Sequence, residues 1–239
     1  MRTELLRCFK NPLYWITLST GLSIRMLFAC LDRLHRSGDF WVLTDLSWNK
    51  IGSATVCFLI LAAIIRSFSI DQESGTIFII SSTPNGRGKL FAERLLAGVV
   101  AAAFGTGLAT VANIIISLLV GQGIPQPEDW IYSSAVSGSI ALLGAIGFYV
   151  VAACMCDILQ NHPATMCICG IPFVISYFVN VSAVKQFDLF WFLRYGFFTE
   201  FLRGRTITSR PVFWTIWYSL LLLAVFLMAV KKRRERKRL

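Results

Sequence analysis

The run LLAGVVAAAFGTGLATVANIIISLLV, residues 95–120, decides the class of this chain. Over 26 residues it carries no Asp, Glu, Lys, Arg or His. As a helix that length rises about 39 Å, more than the roughly 30 Å of a bilayer's hydrocarbon core. It lacks the polar/apolar alternation of a barrel strand, and a segment in lipid must satisfy every backbone N–H and C=O within itself. A membrane-spanning α-helix is therefore predicted here.

Comparable runs lie at 13–31 and 51–68 before it, and at 132–156, 164–184 and 212–230 after it. Each is close to the roughly 17–25 residues a spanning helix needs. The fold expected is an all-α integral membrane protein, one domain over residues 1–239 with six transmembrane helices. Composition agrees, because 56% of the side chains are apolar, 15% are charged and the mean hydropathy is +0.64, outside the range of ordinary soluble domains. The excess of 23 Lys+Arg over 13 Asp+Glu gives a net charge of +10. In so apolar a chain that charge points to lipid phosphates, and no nucleic-acid partner is expected. Of the seven cysteines only Cys8 lies outside the apolar runs, so no disulfide framework is implied. Arg2, Glu4, Arg7 and Lys10 precede an apolar run without a small-residue cleavage pattern, and the first span is expected to be retained.

Lys/Arg counts in the flanks set the orientation. With the N-terminus inside, the cytoplasmic pieces hold fourteen: Arg2, Arg7, Lys10, Arg66, Arg87, Lys89, Arg94 and the seven of residues 231–238. The outer pieces hold eight: Arg33, Arg36, Lys50, Lys185, Arg194, Arg203, Arg205 and Arg210. A multi-pass protein of the cell membrane with both termini cytoplasmic is expected, its tail KKRRERKRL resting on anionic lipid.

The acidic residues and both histidines all fall outside the six runs. Proton relays, intramembrane aspartyl catalysis and most coupled cation transport need Asp, Glu or His at membrane depth, so these classes are set aside. The deep charge is Arg25, about two turns from the outer end of the first span. Either it lines a polar path or its long stem lets it snorkel to the headgroups. With it, Asn113, Ser117, Ser137 and Asn180 are the polar side chains the spans offer to a substrate path. Gly98, Gly105, Gly107, Gly138, Gly144 and Gly147 make rows that let helices approach closely. Cys154-Met155-Cys156 and Met166-Cys167-Ile168-Cys169 would suit a soft metal, but C-x-C lacks zinc-knuckle spacing, and they read as packing; no metal is expected. Arg87-Gly88-Lys89 lacks G-x-x-x-x-G-K-[ST], so the chain has no nucleotide loop of its own, and neither H-E-x-x-H nor G-x-S-x-G occurs.

Two segments are neither spans nor short loops. Residues 69–94 run from Asp71 and Glu73 through an apolar patch at 77–80 to Pro84-Asn85-Gly86, a turn that ends any preceding helix. The expectation is a short interfacial helix, a turn, and the start of the third span. Residues 185–210 mix eight aromatic residues with Asp188, Arg194, Glu200 and Arg203, which suits the headgroup level or a re-entrant hairpin broken near Gly196.

Glu73-Ser74-Gly75-Thr76, an apolar stretch, Ser82-Thr83-Pro84, then Arg87 and Lys89, directly after the second span, resembles the signature of type-2 ABC exporter permeases, "E-x-G-T … L-x-x-P … R … K". The likeness covers about twenty residues plus the six-span layout. In that family the segment carries a cytoplasmic coupling helix docked on an ATP-binding subunit. The resemblance implies that role for Asp71, Glu73, Gly75, Thr76, Ile77, Phe78, Pro84 and Arg87. By the same likeness residues 1–12 are an amphipathic connecting helix and residues 185–210 an extracellular re-entrant hairpin. The implied partners are a separate ABC ATP-binding subunit, a second permease subunit and membrane lipids. The chain itself would be no enzyme and hold no cofactor, ATP and Mg being bound by the partner subunit.

Two other classes compete. A lipid-modifying enzyme needs clustered acids, and Asp71, Glu73 and Glu93 lack D-x-x-D spacing. A membrane-embedded scaffold differs from an exporter by the absence of a neighbouring gene for a short ATPase. An exporter with these spans, which offer hydroxyls, aromatics and one arginine, suits an amphipathic peptide, lipid or drug better than a small ion.

Overall fold

Apolar runs that cannot bond their backbone to lipid close their hydrogen bonds internally, and the computed structural model follows that rule throughout the residues it describes: 2–35, 38–73, 86–159, 161–178, 198–204 and 211–236. Among them the helices are α1 (Arg2–Phe9), α2 (Pro12–His35), α3 (Phe40–Ser47), a π-helical turn (Trp48–Gly52), α4 (Ser53–Glu73), α5 (Gly86–Val120), α6 (Pro127–Leu159), α7 (His162–Phe178), α8 (Thr199–Leu202) and α9 (Pro211–Arg236). There is no β-strand among the described residues, only an isolated bridge between Asp39 and Gln122. The protein is thus a mostly helical membrane protein. Four stretches are long and apolar enough to cross a bilayer: Pro12–His35, Phe40–Ile65, Lys89–Val120 and Pro127–Leu159. Shorter apolar helical stretches lie at Pro163–Val174 and Thr215–Val230 and overlap parts of the last two expected spans.

The helix bounds differ from the sequence expectation in instructive ways. The second apolar helix begins at Phe40 rather than at 51. Asp39 caps it by accepting from the Trp41 N–H at 2.9 Å, and the π turn carries the chain past Asn49 and Lys50 into α4. Those polar residues interrupt the apolar run without interrupting the helix. The third helix begins at Gly86 rather than 95. Over 35 residues it is about 52 Å long, well beyond the hydrocarbon core, so part of the expected coupling segment is its extension. Likewise α4 runs on through Asp71 to Glu73. The fourth helix starts at Pro127, a residue suited to the first helical position, with Glu128 and Asp129 in the first turn where the helix dipole favours them. In the tail, α9 continues helical to Arg236. Ser37, residues 74–85, Asn180 and most of 185–210 lie outside the described residues.

Helices α4 and α6 form the centre, with α2, α5, α7 and α9 packed around them. Their shared core includes Tyr14, Leu59, Ile60, Phe148, Tyr149 and Phe173. On α2 and α5 the outward residues Ile16, Leu27, Val111 and Leu119 remain exposed, the faces a bilayer would cover. Close approach depends on small residues. The ring of Tyr149 occupies the space a side chain at Gly98 would need, and Phe198 and Phe201 do the same at Gly147 and Gly144. Gly107, by contrast, has nothing within 4 Å of where its Cβ would be.

Candidate functional site

Two buried polar clusters stand out, one at each end of the bundle. The first joins α1 to α4 and α5. Positions 4, 8 and 11 recur on one face of the N-terminal segment, and Glu4, Cys8 and Asn11 are all buried. Glu4 takes Arg7 Nη1 at 2.7 Å from its own helix, and its other oxygen lies 3.6 Å from Arg94 Nε of α5. The Arg94 guanidinium also lies over the Phe68 ring, 5.4 Å from its centroid. Cys8 Sγ and Ser67 Oγ share a hydrogen bond at 3.3 Å, and Asn11 Nδ2 donates to the Ala62 carbonyl at 3.1 Å. Burial raises the Cys8 thiol above its ordinary pKa, with the Ser67 hydrogen bond opposing, so it stays a protonated packing group. Tyr149 of α6 donates to the Arg94 carbonyl at 3.1 Å, and Tyr14 of α2 donates to the Ala101 carbonyl at 2.8 Å.

The second cluster lies where α5 ends and α6 begins. Arg25, only 2% exposed, reaches inward from α2. Its Nε donates to Asn113 Oδ1 at 2.6 Å, and one Nη donates to Ser117 Oγ and the Leu43 carbonyl, each at 2.8 Å. Asn113 Oδ1 also accepts from Ser47 Oγ at 3.2 Å, and its Nδ2 donates to the Thr44 carbonyl at 3.3 Å. One arginine thereby ties α2 to α3 and α5. Among the described residues no carboxylate pairs with it and Arg25 Nη1 has no partner. Beside this network a small, open-mouthed cleft, about 20 Å³ in volume, runs between α3, α5 and α6. Asn113 lines it together with Trp41, Thr44, Asp45, Trp48, Ser134 and Ser137.

The structure therefore brings Arg25, Asn113 and Ser117 into one network and sets Ser137 on the adjoining cleft. It places Arg25 inside the bundle, away from a lipid-facing surface. Asp71 and Glu73 end α4 and Arg87 begins α5, whereas Gly75, Thr76, Ile77, Phe78, Pro84 and Asn180 fall outside the described residues. Sequence reasoning did not single out Glu4 or Arg94 as partners, nor Trp48 and Asp45, and it placed Ser134 only in a row of small residues suited to helix packing. The spacing 4, 8, 11 was a usable signal for Glu4, since it sets an acid, a thiol and an amide on one face of the short amphipathic N-terminal segment. Among the described residues no three His, Cys, Asp or Glu side chains gather where they could hold a metal.

One short piece of the aromatic segment is described. Phe198 and Phe201 pack on Gly147 and Gly144, near the midpoint of α6, and Gly204 lies against Ser137, two turns nearer the start of α6. Phe198 stacks on Tyr218 of α9 with centroids 4.5 Å apart, and the buried Glu200 accepts from Arg203 at 2.8 Å.

No protein-family model matches this chain, and no curated protein matches it.

Proposed function

We propose that the chain is the permease subunit of an ATP-driven ABC exporter, with six spans and both termini cytoplasmic. It forms the translocation path with a second permease subunit and is driven by separate ATP-binding subunits. The observation that carries this reading is the seating of α1. Glu4 and Cys8, with Asn11 just after the helix, tie it to Arg94 of α5 and to Ser67 and Ala62 of α4, the two helices that flank residues 74–85. A partner that moved that segment would move α1, α4 and α5 together, as coupling of nucleotide closure to helix tilt requires. The piece 198–204 supports a re-entrant hairpin: it meets α6 at mid-length and follows it back toward its start, as the returning limb of a hairpin would. Cargo of amphipathic character, whether peptide, lipid or drug, fits spans lined by hydroxyls and aromatics.

The test is coupling. Glu73→Ala combined with Phe78→Ala should lower both co-purification of the ATPase subunit and cargo-stimulated ATP hydrolysis, while membrane insertion stays normal. Undiminished coupling in that double variant would sink the assignment.

A further inference from the structure

We propose that the cleft between α3, α5 and α6 binds a zwitterionic headgroup, with an anionic oxygen at Trp48 and Ser134 and an ammonium at Asp45. Two donors at this cleft are buried and unsatisfied: Trp48 Nε1, on a residue 5% exposed, and Ser134 Oγ, on a residue 9% exposed. The benzo edge of Trp48 lies against Gly52, which leaves its N–H edge on the side away from Gly52. An indole N–H can only donate, so whatever satisfies it must offer an acceptor. Buried polar groups left unpaired are costly, and their presence marks a place for a ligand group or ordered water. The floor favours an anion further. Both ends of the Asn113 carboxamide are engaged by protein, and directly behind it stands Arg25, a buried cation with no carboxylate beside it among the described residues.

At the mouth the chemistry reverses. Asp45 is exposed, with no cation paired to it among the described residues, and it is flanked by Trp41 and Trp48, whose ring faces attract cations. An ionised carboxylate only accepts, so the occupant must bring a donor or a positive charge there. Acceptor inward and cation at the mouth describe a phosphoethanolamine-type group. Val111 and Val136, each next in sequence to a residue lining the cleft, are exposed apolar surface along which acyl chains would lie. The proposal stands without the exporter reading, because it concerns only what this chain binds.

Native mass spectrometry of the full chain in maltoside micelles tests it, with dioleoyl-phosphatidylethanolamine and dioleoyl-phosphatidylglycerol as probes. The wild-type chain should retain phosphatidylethanolamine about tenfold more tightly. Ser134→Ala should lower that retention about tenfold or more, the loss expected for one hydrogen bond to a charged group. Asp45→Asn should abolish the preference, because only the ammonium distinguishes the two lipids at the mouth. Trp48→Phe, which keeps the ring and removes the N–H, should behave as Ser134→Ala does. Free phosphoethanolamine at millimolar concentration separates the two sources of this chemistry: displacement of the lipid assigns the site to a soluble zwitterion, and failure to displace it assigns the site to a lipid. Wild-type chain that retains phosphatidylglycerol equally or better overturns the proposal, as does a preference unchanged in all three variants.

Discussion

Arg25 illustrates how a charge becomes tolerable inside an apolar bundle. It spends its donors on neutral acceptors, Asn113, Ser117 and the Leu43 carbonyl, so that three elements share it. Arg25→Leu would leave Ser117 and the Leu43 carbonyl without this donor while Asn113 kept Ser47. With interhelical bonds in membranes averaging about 0.6 kcal/mol and unpaired buried groups costing about 1–3 kcal/mol, a net loss of about 2 kcal/mol is expected. Thermal melting of the purified chain should then shift down by about 4–8 °C. Arg25→Lys should fall between, since a point charge cannot span Asn113 and Leu43 as the guanidinium fork does. A leucine variant that melts like the wild type would show that the network is not a brace and return Arg25 to a role in handling cargo. Asn113 and Ser117, four residues apart, were legible from sequence as one polar face of α5. What they bond to was not, because Ser47, Leu43 and Thr44 fell in a stretch read as loop.

At the scale of elements, the discrepancies between sequence and structure have one cause: hydropathy registers where lipid begins, and a helix has no reason to stop there. Four of the apolar runs therefore lie in helices long enough to span, and the last two overlap shorter apolar helices. The start of α5 and the basic end of α9 escaped the hydropathy reading, since each is a helix carrying polar residues beyond the apolar zone, and α3 escaped it because Asn49 and Lys50 break the apolar run after it. Packing between helices was legible only as rows of small residues. Of those rows, Gly98 and Gly107 have opposite fates, one under the Tyr149 ring and the other with empty space beside it. Gly98→Ala should therefore destabilise the protein by about 1–3 kcal/mol by forcing Tyr149 off α5 and breaking its bond to the Arg94 carbonyl. Gly107→Ala should be neutral or slightly stabilising, alanine being the better helix former. Denaturant titration of both variants checks this, and equal losses at the two positions would contradict the packing of α5 on α6.

For the molecule as a whole, the proposed topology puts residues 37 and 206 outside and both termini in the cytoplasm. In a cysteine-free background, single cysteines at 37 and 206 should react with an impermeant maleimide in intact cells. Labelling of position 206 only after permeabilisation would mean that one span has been miscounted. The exporter reading also expects the chain to purify with a second permease copy, identical or paralogous, because the four helices packed around α4 and α6 leave little room for an amphipathic cargo within one subunit. A transport-competent particle containing one permease chain would contradict it. The Glu4–Arg94 contact reaches further than the folded state, because its two residues are ninety positions apart in the chain. A ribosome adding about 5–20 residues per second delivers Arg94 some 5–18 s after Glu4. During that interval the newborn N-terminus can be held to α4 through Cys8 and Asn11, but its buried Glu4 lacks its partner on α5 until the third hydrophobic helix arrives to supply it.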